Sequence, residues 1–255
     1  MLIPLETRPL NARYDNSNFF LYHNDEAVAK PQVRRMGDLR EVAYDRTLLE
    51  RTEASKAAYY MYRDLCRAED RHLFESRKIR YDVTIMPPAN IGEEYVKTSG
   101  HYHPAVKDAI TYPEIYEVLS GEAHYLLQRL EKGEIADVAV IKAEKDDKVL
   151  IPPNHGHTTI NPSGETLVMA NLVSSQFVSI YDPVKKMGGA AYFELIGNRF
   201  VKNLRYGNLP ELRAMTAPSL TRFPRGENLY ALFLKNAADF EFLNEPWKHQ
   251  SLLPV

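Results

Sequence analysis

Two histidines and a glutamate in one short stretch have the types and spacing of metal ligands. Residues 100–121, GHYHPAVKDAITYPEIYEVLSG, contain His101 and His103, with Glu114 eleven positions after the second histidine. On a strand, residues i and i+2 lie on the same face, so both imidazoles can reach one point in space. Imidazole nitrogens and a carboxylate bind divalent first-row metal ions. The spacing therefore predicts three corners of a metal site.

A later stretch supplies candidates for a fourth ligand. Residues 151–161, IPPNHGHTTIN, contain His155 and His157, and either imidazole could complete the site. An isolated His-x-His pair is usually found on a protein surface without a metal. The prediction of a metal site therefore depends on whether the fold brings the two stretches together.

The elements that must position these residues are mostly strands. From residue 79, apolar and polar residues alternate, as Ile79, Tyr81 and Val83 do, which predicts a half-buried strand. Turn sequences such as SGE and PSGE separate further short segments. The other predicted strands are 115–119, 123–129, 135–141, 148–151, 157–160, 166–173, 176–181 and 190–196. Many short strands without intervening helices indicate a mainly β protein with an antiparallel sandwich or barrel.

The two ends of the chain have different patterns. NFFLYHN predicts one strand and GDLREVAYD a short helix with Asp38 as its N-cap. Residues 52–73 fit the apolar stripe of a longer helix, and LYALFLKN and DFEFLN predict a strand pair. We expect an N-terminal extension (1–75) with helices that pack on the barrel, the barrel itself (76–200) and a C-terminal extension (201–255).

The composition narrows the class of protein. A formal net charge of −2 argues against a nucleic-acid-binding protein, because no basic excess would neutralise phosphates. The single cysteine cannot form an internal disulfide, which suits a reducing compartment. No apolar window is long enough to span a membrane, and MLIPLETRPLNARYD is not typical of a secretory signal. We expect a cytoplasmic protein with neither nucleic-acid nor membrane partners.

The first histidine stretch resembles a motif of the cupin superfamily. That motif is His-x-His followed by Glu-x6-Gly; His101 and His103 form the pair, and six residues separate Glu114 from Gly121. The resemblance implies a double-stranded β-helix, or jelly-roll barrel, around a metal site. Ten residues, PAVKDAITYP, lie between His103 and Glu114, more than the family usually has. We therefore expect a loop to return Glu114 to the metal.

The second stretch resembles the other cupin motif, Pro-x-Gly-x-x-His-x3-Asn. Pro152, His157 and Asn161 reproduce its spacing, so the resemblance selects His157 over His155 as the fourth ligand. Asn154 and Asp146 replace glycines of the family pattern. Both residue types tolerate the left-handed backbone conformation that glycine often supplies.

Flanking residues resemble the cupin-type glucose-6-phosphate isomerases, known mainly from archaea and some bacteria. That family shows Thr-x-Gly-His-x-His, Glu-Ile-Tyr and Pro-Pro-x-x-x-His-x3-Asn, and the resemblance covers roughly residues 79–210. It implies one divalent ion per chain (iron, manganese, zinc, nickel or cobalt) and a homodimer. The implied reaction interconverts glucose 6-phosphate and fructose 6-phosphate, in glycolysis and gluconeogenesis, through a cis-enediol or a hydride shift.

The same resemblance implies roles for single residues. Glu114 would be metal ligand, base, or both, and Tyr181 would lie near the sugar as a second catalytic group. The positions implied for the substrate phosphate are Thr84, Thr98, Gly100 and Tyr116. Two other family positions, a tyrosine and a histidine, are Val173 and Ser179 here.

Several alternatives remain at the level of sequence. Glu117 is the alternative carboxylate ligand, and Lys97 either adds charge at the phosphate or is a solvated lysine on a strand edge. A mononuclear iron dioxygenase would use the same three-histidine, one-glutamate set. A non-catalytic sugar-phosphate-binding cupin would keep the metal as a structural ion, and activity on mannose 6-phosphate is also open.

Overall fold

The computed structural model describes residues 1–23, 26–28, 30–47 and 54–252. The mainly β prediction is confirmed. The strands are β1 (Leu2–Pro4), β2 (Ala12–Asp15), β3 (Leu21–His23), β4 (Glu26–Ala27), β5 (Gln32–Arg35), β6 (Ala57–Tyr62), β7 (Ile79–Met86), β8 (Asn90–Ile91), β9 (Glu94–Tyr95), β10 (Ala105–Lys107), β11 (Ile110–Thr111), β12 (Glu114–Ser120), β13 (Glu122–Glu131), β14 (Glu134–Glu144), β15 (Lys148–Ile151), β16 (His155–Ile160), β17 (Leu167–Ser174), β18 (Tyr192–Leu195), β19 (Arg199–Lys202) and β20 (Arg213–Thr216).

The helices of the described residues are short. The α-helices are α1 (Arg71–Arg77), α2 (Asp182–Lys186) and α3 (Leu229–Lys235). The 3-10 helices are Met36–Val42, Ala68–Asp70, Leu204–Tyr206, Ala237–Leu243, Pro246–Lys248 and Gln250–Leu252. In the part of the chain that is described, no helix has the length and apolar character needed to cross a membrane.

Two sheets form the body of the protein. One is six-stranded, in the order β15-β12-β17-β7-β6-β5, and all its neighbouring strands are antiparallel. The other has the order β16-β13-β14-β20. Residues 96–101 run antiparallel along the outer edge of β16, where Thr98 donates its backbone N–H to Thr159 O at 2.8 Å.

The chain alternates between these sheets. β12, β15 and β17 lie in the first sheet, whereas β13, β14 and β16 lie in the second. With β7 in the first sheet and residues 96–101 in the second, eight segments form two interleaved four-strand layers. This order is that of a jelly roll with Greek-key connections, the architecture of cupins. The predicted fold class is therefore confirmed.

Apolar side chains pack between the sheets and on the outside of the larger one. The inner core joins Val118 and Val149 of one sheet to Tyr125 of the other. The outer face of the six-stranded sheet is covered by aromatic residues of α3, including Tyr230 and Phe233. Between the sheets, the inner layer is apolar beside Val118 and polar at the end where β12 begins, and this polar end holds the candidate site.

Two predictions for the N-terminal part are wrong. Residues 57–62 form β6 rather than part of a helix over 52–73, of which 52 and 53 lie outside the described residues. Both faces of β6 are buried or half-buried, so its apolar residues do not alternate with polar ones. Their spacing therefore also fits the apolar face of a helix. Asp38 is not the N-cap of the helix Met36–Val42; it lies inside, and its carboxylate accepts the backbone N–H of Arg35 at 2.8 Å.

Two predictions near the C-terminus are also wrong. The expected strand pair is α3 followed by the 3-10 helix Ala237–Leu243, and Asn228 caps α3 by accepting the N–H of Ala231 at 2.9 Å. Residues 176–181 form no strand; Ile180 alone makes an isolated bridge, to Tyr102. The three-part division stays a prediction, although β5 and β6 extend the barrel sheet with N-terminal residues. Residues 253–255 lie outside the described chain.

Candidate metal centre and its cleft

Backbone pairing brings the two histidine stretches together. His101 and His157 face each other in an antiparallel bridge, with N–H···O distances of 3.1 and 3.0 Å in the two directions. Gly100, at φ +72°, lets the chain approach β16 closely, since a Cβ there would lie 2.4 Å from Thr158 Oγ1. The left-handed conformation and the lack of space both favour glycine at this position.

The ten residues before Glu114 form the hairpin β10–β11, which returns the chain to the histidines. Tyr112 donates its backbone N–H to Pro104 O at 3.2 Å and so closes the hairpin at its base. Glu114 then opens β12 with its side chain on the histidine side. The expectation that a loop brings Glu114 to the cluster is confirmed. Glu117 points to the opposite face, where it pairs with Lys148 at 3.2 Å.

Four ligand-type side chains converge: one nitrogen from each of His101, His103 and His157 and one oxygen of Glu114 all lie within 4.8 Å of one another. The shorter separations are 3.2 Å between Nε2 of His101 and Nε2 of His103, and 3.2 and 3.4 Å from Glu114 Oε2 to Nε2 of His157 and His103. Two ligands that are each bound about 2.1 Å from one ion at tetrahedral or octahedral angles are about 3.0–3.4 Å apart. The cluster therefore has the size needed to hold one metal ion.

The hydrogen bonds around the cluster direct its ligand atoms inward. Nδ1 of His103 lies 2.8 Å from Tyr112 O, which leaves Nε2 to face the cluster. Asn171 Nδ2 donates to Glu114 Oε1 at 2.6 Å. Glu114 Oε2 is buried and has no hydrogen-bond partner among the described residues. An unpartnered buried carboxylate oxygen is costly unless a ligand satisfies it.

The electrostatics of the cluster suit a cation. Burial, together with the neighbouring imidazoles of His157 and His103, holds the pKa of His101 well below its usual value. Burial also lowers the pKa of His157. Burial alone would raise the pKa of Glu114, but the adjacent imidazoles of His103 and His157 outweigh it and hold that pKa well below its usual range. Neutral imidazoles at His101 and His157 beside an ionised carboxylate suit the binding of a divalent metal.

The cluster opens into a cleft that is lined mainly by polar side chains. Of the residues that the sequence predicts for substrate binding, Thr84, Thr98, Tyr116 and Tyr181 line this cleft. Gly100 is next to His101 in the chain, at the close approach to β16. Val173 and Ser179, which replace a tyrosine and a histidine of the family pattern, also line the cleft.

The two predicted tyrosines lie against the histidines. The hydroxyl of Tyr116 is 3.3 Å from Nε2 of His157, and burial followed by the charge of Glu114 raises the pKa of Tyr116 well above its usual value. Tyr116 is therefore a neutral hydroxyl directed at the cluster. The ring of Tyr181 is 5.3 Å from that of His101, and the guanidinium of Arg34 lies 5.8 Å from the centre of the Tyr181 ring.

Sequence reasoning missed several polar groups of the cleft, among them one amide and two arginines. Asn171 sits in the apolar run LVMANLVS, and a lone amide inside a buried strand was the signal that could have found it. Arg63 and Arg80 line the cleft beside Asp82. Arg63 lies in the segment that was predicted as a helix, so its place next to β7 was hidden.

Both sequence interpretations of Lys97 were wrong. Its side chain is buried and donates to Val42 O at 2.8 Å and to the carboxylate of Glu94. It is therefore neither solvated nor among the residues that line the cleft. His124 is likewise buried away from the cluster, 2.8 Å from the carboxylate of Glu194.

Strand order and side-chain cluster together define this protein as a cupin with a buried His/Glu set that could hold a metal ion. Among solved structures, an oxalate oxidase in complex with glycolate is similar at 13% identity and a TM-score of 0.38, over 50% of this chain and 56% of that one. Oxalate decarboxylase from Bacillus subtilis gives 17% identity and a TM-score of 0.36, over 52% and 30%. These scores are low, and the fold rests on the strand order.

The family follows from a longer match. The model of the glucose-6-phosphate isomerase (GPI) family matches residues 33–211, and the chain belongs to this family. A glucose-6-phosphate isomerase of Thermococcus gammatolerans is 29% identical over 63% of this chain and 78% of that protein. One of Sinorhizobium medicae is 33% identical over 43% and 47%.

Proposed function

We propose that this protein is a metal-dependent aldose–ketose isomerase that interconverts glucose 6-phosphate and fructose 6-phosphate. The observation that carries the proposal is the buried set of three imidazoles and one carboxylate, with an unpartnered oxygen on Glu114, at the bottom of a cleft. Membership of the glucose-6-phosphate isomerase family supports the choice of substrate.

His101, His103, Glu114 and His157 would hold the metal ion, because the spacing of their ligand atoms fits one. When bound, such an ion supplies positive charge that stabilises the oxygens of the sugar carbonyl and its neighbouring hydroxyl. The donor set alone suits iron, manganese, zinc, nickel and cobalt. His103 is oriented for this role by Tyr112 O, and Glu114 by the amide of Asn171.

Glu114 is also the group placed to move the proton. As an ionised carboxylate it can remove the proton from C2 of the aldose and return it to C1, while a hydroxyl proton passes between O1 and O2 of the cis-enediol. Oε1 stays bound to Asn171, so the transfer falls to Oε2, which can accept the proton only when it is not occupied as a metal ligand. A hydride shift between C2 and C1 is the competing mechanism, and it would need no base at this position.

The rest of the cleft would hold the sugar phosphate. Thr84, Thr98 and Tyr116 line the cleft and offer hydroxyl groups. The family resemblance adds the backbone N–H at Gly100, a donor that would suit a phosphate oxygen. Thr98 Oγ1 already accepts the N–H of Thr159 at 3.0 Å, which leaves its hydroxyl hydrogen to donate. Tyr181, beside His101, would contact the sugar hydroxyls.

The first measurement is the identity and amount of metal bound to the purified protein. Conversion of fructose 6-phosphate to glucose 6-phosphate is then followed before chelation, after chelation and after restoring each candidate metal separately. We expect turnover to disappear on chelation and to return with at least one ion. Absence of turnover in metal-loaded protein would contradict the proposal; oxygen consumption would favour a dioxygenase, and binding without turnover a sugar-phosphate-binding protein. Mannose 6-phosphate is assayed alongside.

A further inference from the structure

Two arginines line the same cleft as the histidine cluster. Arg63 directly follows β6, and Arg80 is the second residue of β7. Their side chains are 35% and 20% exposed, so both guanidinium groups can meet a ligand that enters from solvent.

One buried carboxylate holds both arginines in place. Asp82 Oδ2 accepts from Nη1 of Arg63 at 2.8 Å and from Nε of Arg80 at 3.0 Å, while its Oδ1 accepts the backbone N–H of Asp64 at 2.9 Å. The Asp82 side chain is 3% exposed. A single negative charge thus orients two positive ones, and each guanidinium keeps further N–H groups for a ligand.

The strand register fixes how far the arginine pair lies from the His/Glu cluster. Arg80 lies opposite Val173 of β17, and Val173 lies opposite Glu114 of β12. Two strand spacings separate the Cα atoms of Arg80 and Glu114 by about 10 Å. An open-chain hexose phosphate held with C1 and C2 at Glu114 would extend its phosphate, on C6, away from the cluster, and the long arginine side chains can reach back toward it.

We propose that Arg63 and Arg80, oriented by Asp82, bind the phosphate dianion of the substrate and neutralise its charge. This inference rests on the proposed function for the identity of the sugar. The hydroxyl and amide donors of Thr84, Thr98 and Gly100 carry no charge, so Arg63 and Arg80 would add positive charge that these donors lack. A guanidinium matches the geometry of phosphate oxygens with two parallel hydrogen bonds, and two of them supply the charge as well.

The experiment compares Arg63→Gln, Arg80→Gln and the double variant with Arg213→Gln, all in metal-loaded protein. Glutamine can still donate one hydrogen bond to Asp82. Arg213 is a matched control, because it also pairs with an aspartate, Asp137, but on the strand β20. Two quantities are measured: binding of inorganic phosphate by calorimetry, and the KM for fructose 6-phosphate. We expect each single change to weaken phosphate binding about tenfold and to raise the KM about tenfold. The double change should alter each quantity about 100-fold, and the control should leave both unaltered.

Lysine variants separate charge from structure. Arg63→Lys and Arg80→Lys keep the positive charge but lose the two parallel hydrogen bonds, so they should bind phosphate more weakly than wild type and more tightly than the glutamine variants. Unchanged phosphate binding and KM in the folded glutamine variants, with a raised KM in Thr84→Val, would overturn the inference. If the glutamine variants do not fold, lysine variants that fold yet bind phosphate no better than a neutral site would also overturn it.

The two proposals can fail separately. If the wild-type protein shows no isomerase turnover but the glutamine variants lose phosphate binding, the proposed reaction is wrong and the arginine site stands. If turnover is present and phosphate binding does not depend on the arginines, only the arginine site is wrong. Competition between inorganic phosphate and fructose 6-phosphate distinguishes the substrate phosphate from a separate site for the free ion.

Discussion

Glu114 and Glu117 lie three residues apart on β12 and are almost equally buried, yet their pKa values shift in opposite directions. Burial penalises the ionised form of each. At Glu114, burial is outweighed by the adjacent imidazoles of His103 and His157, which lower the pKa. At Glu117, burial outweighs the attraction of Lys148 and raises the pKa to about 7. Neighbours, not depth, decide which carboxylate stays charged.

The two faces of β12 also differ in what they leave unsatisfied. Glu114 keeps one oxygen without a partner, inside the cleft. Both oxygens of Glu117 are used: one is 3.2 Å from Lys148 Nζ, and the other accepts the N–H of Leu229, the first residue of α3, at 2.8 Å. The first carboxylate is therefore ready for a ligand, whereas the second fastens the C-terminal helix to the barrel.

The largest expected effect comes from Glu114→Gln. Loss of the carboxylate removes a metal ligand and the proposed base, so turnover should fall at least about 1000-fold and metal affinity should fall as well. Turnover, bound metal per chain and the circular dichroism spectrum are measured together. Near-normal turnover would remove Glu114 from the chemistry and with it the contrast between the two faces.

Lys148→Met tests the face of β12 that carries Glu117. It leaves Glu117 buried without its cation, and at a pH well above the pKa of Glu117 this should lower the free energy of unfolding by about 3 kcal/mol. At a pH well below that pKa the loss should be smaller, because Glu117 is then neutral. Denaturant unfolding at the two pH values gives the comparison, and turnover of the folded variant should stay close to wild type. An equal loss at both pH values would contradict the ionic role of Lys148.

Asn171→Ala tests the face of β12 that carries Glu114 and should have an intermediate effect on turnover or metal affinity. Removing the amide frees Glu114 Oε1 and loosens the orientation of the carboxylate, which should reduce turnover or metal affinity about 10- to 100-fold. Steady-state kinetics and metal titration measure the two quantities. A variant that is less stable than wild type but has normal kinetics when folded would show that Asn171 contributes to stability alone.

The convergence of His101, His103, Glu114 and His157 was predictable from sequence, in part from local spacing and in part from the resemblance to the cupin motifs, which selected His157 over His155. Strand periodicity and a fixed spacing place His101 and His103 on one face, and His157 lies opposite His101 through ordinary antiparallel pairing. Asp146 and Asn154 do adopt positive φ, 73° and 66°, as their places in the turn motif suggest. Short-range patterns are readable when backbone geometry alone determines which residues meet.

The remaining features depended on pairing between distant segments. β6 is buried on both sides, so nothing in residues 57–62 distinguishes a strand from a helix until β7 lies beside it. Arg63 enters the cleft only through that pairing. In the same way, the apolar residues of α3 fit a strand as well as a helix, and their packing on the six-stranded sheet decides the outcome.

Glu117→Gln is the smallest change and the matched control for Glu114→Gln. Turnover should stay close to wild type, because Glu117 faces away from the cleft. In the wild type, folding raises the pKa of Glu117 from its ordinary 4.5 to about 7, so the folded state binds more protons than the unfolded state between these values. Stability from this group is therefore full below the lower value and is lost as pH rises through the higher one. The variant lacks this dependence.

The unfolding free energy of wild type relative to the Glu117→Gln variant should therefore decrease as pH rises across that window, by up to about 3 kcal/mol. Urea unfolding of both proteins at a series of pH values measures the difference. A constant difference would mean that Lys148 and the N–H of Leu229 compensate burial fully. The two carboxylates of β12 would then differ in the metal that Glu114 can hold and not in their own charge states.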